Sequence, residues 1–263
     1  MNSFFKKSLF AVLAIALVAF AAGCGGSDEP TEAPDAALKS ALDKTAGISS
    51  GVAEVKASLA LGSLPGSLTI QGGGPFDTKA KGGAATNLQF SVDVAGTQQN
   101  FGLVSVGGKG YLTVDDKALE QKDEGASLGP DQVADFLSGL GDNLTNVKST
   151  GDNTYTATVD VKKLLEASKA GDNLSKLSIP GLGSGEQLSK SVSTANITVT
   201  VDADGYAQVL DIDLPITTGG NQGGVRAKIT LTEIDEPQTI DEPTNVVNDA
   251  SELGGLGAAL AGQ

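Results

Sequence analysis

Histidine is absent from this chain of 263 residues, and cysteine occurs once, at Cys24. Without imidazole there is no Ser-His-Asp or Cys-His nucleophile and no histidine-ligated metal site. A serine–lysine dyad commonly shows Ser-x-x-Lys, and that spacing does not occur beyond residue 23. The sequence VGGKGY around Lys109 lacks the spacing and the following Ser or Thr of a phosphate-binding loop. Carboxylates remain. Asp202 and Asp204 in VDADG share the opening of a calcium loop, but the later ligands are missing and the Asp-Gly pair reads as a hairpin turn. Asp211 and Asp213 stand two apart on one strand face, where a solvated surface is a simpler reading than an acid/base pair. The sequence therefore assigns no catalytic residue, no metal ligand and no cofactor, and the chain is not read as an enzyme.

Cys24 is the exception, because its surroundings give a thiol something to do. Lys6 and Lys7 precede an uncharged apolar run from Leu9 to Ala22. At about 1.5 Å per residue that run reaches only about 20 Å as a helix, short of the ~30 Å hydrocarbon core. A basic start, a short apolar stretch and small residues read as an export signal over 1–23. Ala21-Ala22-Gly23-Cys24 resembles the bacterial lipobox, in which the cysteine is acylated and becomes the new N-terminus. Ala21 departs from the commoner Leu, Val or Ile at that position. The rival is an ordinary signal-peptidase site at Ala19-Phe20-Ala21, which leaves Cys24 a free thiol.

Charge favours the anchor. Residues 24–37 hold four acids and no base, too polar to order themselves, and read as a flexible tether. Loss of residues 1–23 removes two lysines and no acid, which takes the net charge from −14 to −16. Such a chain is repelled by nucleic acid and by anionic headgroups, so acyl chains must supply membrane attachment. The expected location is the extracytoplasmic face of the cell membrane.

The elements that follow are a helix and then strands. PDAALKSALDKT opens with helix-start chemistry and has an apolar face at Leu38, Ala41 and Leu42. The period then falls to two. In NLQFSVDV, Leu88, Phe90, Val92 and Val94 alternate with polar residues, as half-buried strands do. Strands are expected at 53–61, 67–71, 75–81, 88–94, 98–106 and 109–115, with Gly-rich turns between them. Val133, Phe136, Leu137 and Leu140 have helical spacing. A strand over NTYTATVDV, a helix with Val161, Leu164 and Leu165 on one side, and a Gly-broken connection over 171–190 with room for another helix come next. Three strands close the pattern at 192–202, 206–216 and 225–234. This is one α+β domain over 38–243, with a tail over 244–263.

SGVAEVKASLAL, VGGKGYLTVDDKALE, LGPDQVADFL, VKSTGDNTYTATVDVKKLLE and EIDEPQTIDEP in this order resemble the actinobacterial LppX/LprG-type lipoproteins. The resemblance implies a LolA-like fold: a curved antiparallel half-barrel with helices on its concave face, enclosing an apolar cavity for acylated lipids. On the strands the lining would comprise Val55, Leu59, Leu61, Leu88, Phe90, Val92, Val94, Phe101 and Leu103, then Ile197, Val199 and Val201. Phe136, Leu137 and Leu140 would cover part of it. Aromatic residues make up 4% of the chain and Trp is absent, leaving few bulky groups to plug such a space. The implied role is lipid binding or transport. Alternation alone fits a dry core equally well. The competing reading is thus a non-catalytic tethered domain that serves a membrane transporter or another envelope partner.

Overall fold

The alternating segments form one broad sheet. The computed structural model describes residues 33–61, 67–94, 96–121, 137, 139–167, 178–179, 183–184, 194–218 and 221–254. Helix α1 (Pro34–Thr45) is followed by β1 (Ser50–Leu61), β2 (Ser67–Asp77), β3 (Ala85–Val94), β4 (Thr97–Val106), β5 (Lys109–Val114) and β6 (Lys117–Gln121). Then come β7 (Leu144–Gly151), β8 (Thr154–Asp160), α2 (Val161–Ala167) and the short ribbon of β9 (Ser178–Ile179) and β10 (Gly183–Ser184). The chain ends in β11 (Thr194–Val201), β12 (Ala207–Thr218), β13 (Asn221–Thr232), β14 (Val246–Val247) and a 3-10 turn at Ala250–Leu253.

The strand order is β14-β6-β5-β4-β3-β2-β1-β13-β12-β11-β8-β7, antiparallel throughout except where β14 joins β6. Two meanders, β1–β6 and β7-β8-β11-β12-β13, meet where β1 pairs with β13 from Val52↔Thr232 to Leu61↔Gly223. This open, curved sheet with few helices is the α+β layout that the sequence resemblance implies.

Several boundaries differ from the sequence reading. The expected strands at 67–71 and 75–81 are a single β2, and the glycines between them are not a turn. A Cβ on Gly72 would sit 2.0 Å from the Gln89 carbonyl oxygen, and one on Gly73 would sit 1.8 Å from that of Ala53. Neighbouring backbones thus approach closely enough to demand glycine inside the strand. β6 follows a two-residue turn at Asp115-Asp116, closed by the Val114↔Lys117 pair. β7 shows little alternation because it is the far edge of the sheet, largely exposed along its length. Its hairpin to β8 turns through Asp152 and Asn153, both at positive φ (48° and 55°) as a type I′ turn requires. Residues 244–254 are not a separate appendage. Ala118 N–H donates to the Asn245 carbonyl at 2.9 Å, Val246 and Val247 pair with Ala118 and Leu119, and Leu253 is buried.

Helix α1 starts at Pro34 with Asp35 in its first turn and Lys44 in its last, as the macrodipole favours. Leu38 and Leu42 are buried against the apolar face of the sheet, each contributing about 1.5–3 kcal/mol. Thr45, 2% exposed, fixes the docking: its hydroxyl donates to the Ala41 carbonyl at 2.6 Å and accepts the Ala207 N–H at 2.9 Å. Lys44 donates to the Asp204 carbonyl at 2.7 Å and lies 5.3 Å above the Tyr206 ring centroid. That turn is closed by the Asp202 carboxylate, which accepts from the N–H groups of Asp204 and Tyr206.

A second clasp joins the start of β1 to the exit of β13. Asp235 accepts from the Ser49 N–H (2.9 Å), the Ser49 hydroxyl (3.0 Å) and the Tyr206 hydroxyl (3.2 Å). Burial pushes its carboxyl up, but the bonds from Ser49 and Tyr206 outweigh burial and hold it below the usual carboxylate range.

Two outcomes follow. Thr45→Val keeps the shape and orphans the buried Ala207 N–H, so urea unfolding should show a loss of about 1–3 kcal/mol with an unchanged slope. Because folding lowers the pKa of Asp235, its stabilisation is present above the unfolded value near 4 and is lost as pH falls through the folded value. Asp235→Asn should therefore cost about 1 kcal/mol at neutral pH, and the gap from wild type should narrow as pH falls below about 4.

Candidate functional site

The candidate site is the apolar face of the sheet, and register builds it residue by residue. Phe101 pairs with Phe90, Phe90 with Gly72, Gly72 with Val55, and Val55 with Ile229. Ile229 pairs with Leu210, Leu210 with Val199, and Val199 with Tyr155. This is one row across eight strands, apolar throughout. Gly72 has a further use here: a Cβ at that position would lie 2.8 Å from the Phe90 ring. Its absence lets Phe90 lie over β2 and stack on Phe101, with centroids 5.5 Å apart and planes at 30°. A parallel row runs through Val92, Ile70, Ala57, Ala227, Ile212 and Ile197.

Of the expected lining residues, Val55, Leu59, Phe90, Val92, Phe101, Leu137, Leu140, Ile197 and Val199 are buried in a single cluster. Leu88, Leu103 and Val201 are half-buried and packed against it. Leu61 and Val94 end β1 and β3, with side chains outside the described residues; Phe136 and Cys24 lie outside them altogether. Leu210, Val225, Ile229 and Tyr155 share the face, as do Leu38 and Leu42 from α1. Alternation within the strands expected at 206–216 and 225–234 carries the signal for Leu210, Val225 and Ile229.

The face is not equally closed along its length. Beneath α1 a void of about 10 Å³ is lined by Leu42, Thr45, Leu137, Ala207, Leu210 and Ile229 among others, about the room of one water. At the margin formed by β3–β6, Leu88 pairs with Leu103, Leu103 with Leu112, and Leu112 with Leu119. Leu112 is 3% exposed, whereas the other three are only half-buried. An apolar row of four leucines thus comes partly to solvent.

Of the ionisable groups near this margin, Lys117 shares the face of Leu119 and donates to the Glu252 carbonyl at 2.8 Å, whereas Lys109 and Tyr111 lie on the opposite face. Tyr111 and Lys109 both bond Glu242, Lys109 at 2.8 Å, and this pins the chain after β13 against β5. Those two bonds hold the Glu242 carboxyl below its usual range, while burial and Glu242 raise Tyr111. Among the described residues no three of His, Cys, Asp and Glu come together as metal ligands would. Among the described residues, the inner face offers mainly shape and apolar surface.

No family model matches the chain, and no curated protein matches it. Among solved structures it is similar to the crystal structure of LprF from Mycobacterium bovis, at 15% sequence identity and a TM-score of 0.46, over 83% of this chain and 99% of that one.

Proposed function

We propose that the protein is a lipid-anchored envelope protein that binds an acylated lipid on the apolar face of its sheet and holds it at the extracytoplasmic side of the cell membrane. The observation that carries this reading is the row Leu88–Leu103–Leu112–Leu119, three of whose four leucines are only half-buried at the margin of a largely buried apolar face. A soluble domain gains by covering such a row, and an acyl chain laid along it gains roughly 0.8 kcal/mol per buried methylene. The lipobox at Cys24, the acidic tether and the sequence resemblance to the LppX/LprG-type lipoproteins support the same role. No reaction is required of it, in keeping with a chain that lacks histidine.

The tight packing beneath α1 favours the second reading. A void of about 10 Å³ is far below the roughly 300 Å³ or more of a small-molecule pocket, so a filled-core domain docking on a transporter explains that region as well.

Native mass spectrometry of the purified full-length protein separates the two. A bound acyl lipid is the expected result, and Leu103→Glu should lower its occupancy at least ten-fold while the melting temperature moves by only a few degrees, since Leu103 is only half-buried at the margin. Lipid-free wild-type protein that also takes up no lipid from vesicles would establish the filled-core reading instead. The anchor is tested separately. Cys24→Ala should abolish acyl labelling and move the protein from the membrane to the soluble fraction; labelling that persists would overturn the lipobox assignment.

A further inference from the structure

The outward face of the central strands carries a different kind of surface. Because Val55, Ala57 and Leu59 point inward, Lys56 and Ser58 point out, and register extends them into two rows. One row runs Gln71, Lys56, Lys228, Asp211, Thr198; the other runs Thr69, Ser58, Arg226, Asp213, Asn196. Together they line an open groove of about 480 Å³ across β2, β1, β13, β12 and β11. Five strands at about 4.8 Å spacing make it about 19 Å long.

Three features distinguish this groove from an ordinary solvated face. First, Lys56 stands directly opposite Lys228, an arrangement that repels, and Lys56 has no carboxylate partner among the described residues. Second, Arg226 bonds Asp213 through Nε at a long 3.4 Å, and its two terminal nitrogens make no hydrogen bond to a carboxylate among the described residues. Third, Gln71, Ser58, Thr69, Thr198 and Asn196 make no side-chain hydrogen bond to protein among the described residues, although all line the same groove. Three cations thus gather in a chain of net charge −14, beside two carboxylates and a set of uncommitted amides and hydroxyls.

The mixture narrows the ligand. A bare anion or an anionic membrane surface gains from the cations but is repelled by Asp211 and Asp213 and by the acidic chain as a whole. A nucleic acid meets that same repulsion and finds no aromatic side chain in the groove on which to stack its bases. A sugar hydroxyl both donates and accepts, so it can use carboxylate and ammonium groups side by side. One acidic group on the sugar would sit between Lys56 and Lys228 and within reach of the Arg226 fork.

We propose that this groove binds an acidic carbohydrate, with Lys56, Lys228 and Arg226 holding its anionic group and Asp211, Asp213, Gln71 and Asn196 holding its hydroxyls. This site is on the face opposite the lipid surface and does not depend on lipid binding. Glucose 1-phosphate is a minimal probe, titrated into the full-length protein by calorimetry with glucose and inorganic phosphate as controls. Glucose 1-phosphate should bind at least ten-fold more tightly than either control. Lys56→Gln and Arg226→Gln should each weaken it at least ten-fold. Lys56→Gln should also leave the melting temperature unchanged or higher, because the facing lysines no longer repel. Phosphate binding as tightly as the sugar phosphate would reduce the groove to an anion patch and overturn the proposal. No binding, or binding that both variants retain in full, would overturn it as well.

Discussion

The pairing of β1 with β13 is the constraint on which the rest of the molecule rests. These strands lie at opposite ends of the domain's sequence, yet they form the centre of the sheet over the pairs from Val52↔Thr232 to Leu61↔Gly223. Each meander alone is a sheet with a bare apolar side and a bare long edge. Joined, they align Val55 with Ile229 and Ala57 with Ala227, and the apolar rows become continuous. A slip of one residue would turn every inward side chain of one half toward water, so the buried face enforces the register as firmly as the hydrogen bonds do. The Asp235 clasp sits at the end of this same seam, bonding Ser49 just before β1 from a position just after β13.

Given that seam, the two faces divide their roles. The inner one is largely apolar, covered in part by α1, and looser at the leucine margin than beneath the helix. Thr45 ties the helix to the start of β12 through a buried hydroxyl, so α1 sits in one register over the sheet. The outer face carries the charges, arranged by strand pairing into facing groups, so that one pairing scheme sets the geometry of both surfaces. A change in the twist of β1 or β13 would therefore alter the leucine margin and the polar groove together.

Much of this was legible in the chain. The alternation of NLQFSVDV placed Phe90 and Val92 on the buried face, and Pro34-Asp35 marked the start of α1. What escaped did so for physical reasons. Gly72–Gly74 has the composition of a turn, and only the proximity of two neighbouring backbones reveals it as strand interior. β7 has little pattern to read because this edge strand buries only Leu144 and Val147 in part; Asp152-Asn153 was its local signal. The leucine row depends on pairing among four strands, and the cationic groove on pairing among five. Spacing within a single strand encodes neither.

The two margins of the sheet deserve comparison. β7 ends the sheet with Thr145, Asn146 and Lys148 and with two breaks in register against β8, features that make a poor template for another strand. β6 has no such irregularity in its pairing with β5; its outer side is met by Asn245, Val246 and Val247 running parallel to it. A parallel partner this short adds little binding energy, but it occupies the hydrogen-bonding groups that a second molecule would otherwise use. An open edge of this kind invites end-to-end pairing with a second molecule. Residues 245–247 thus act as a stopper on the β6 edge, held there by a segment whose Leu253 is buried in the main core.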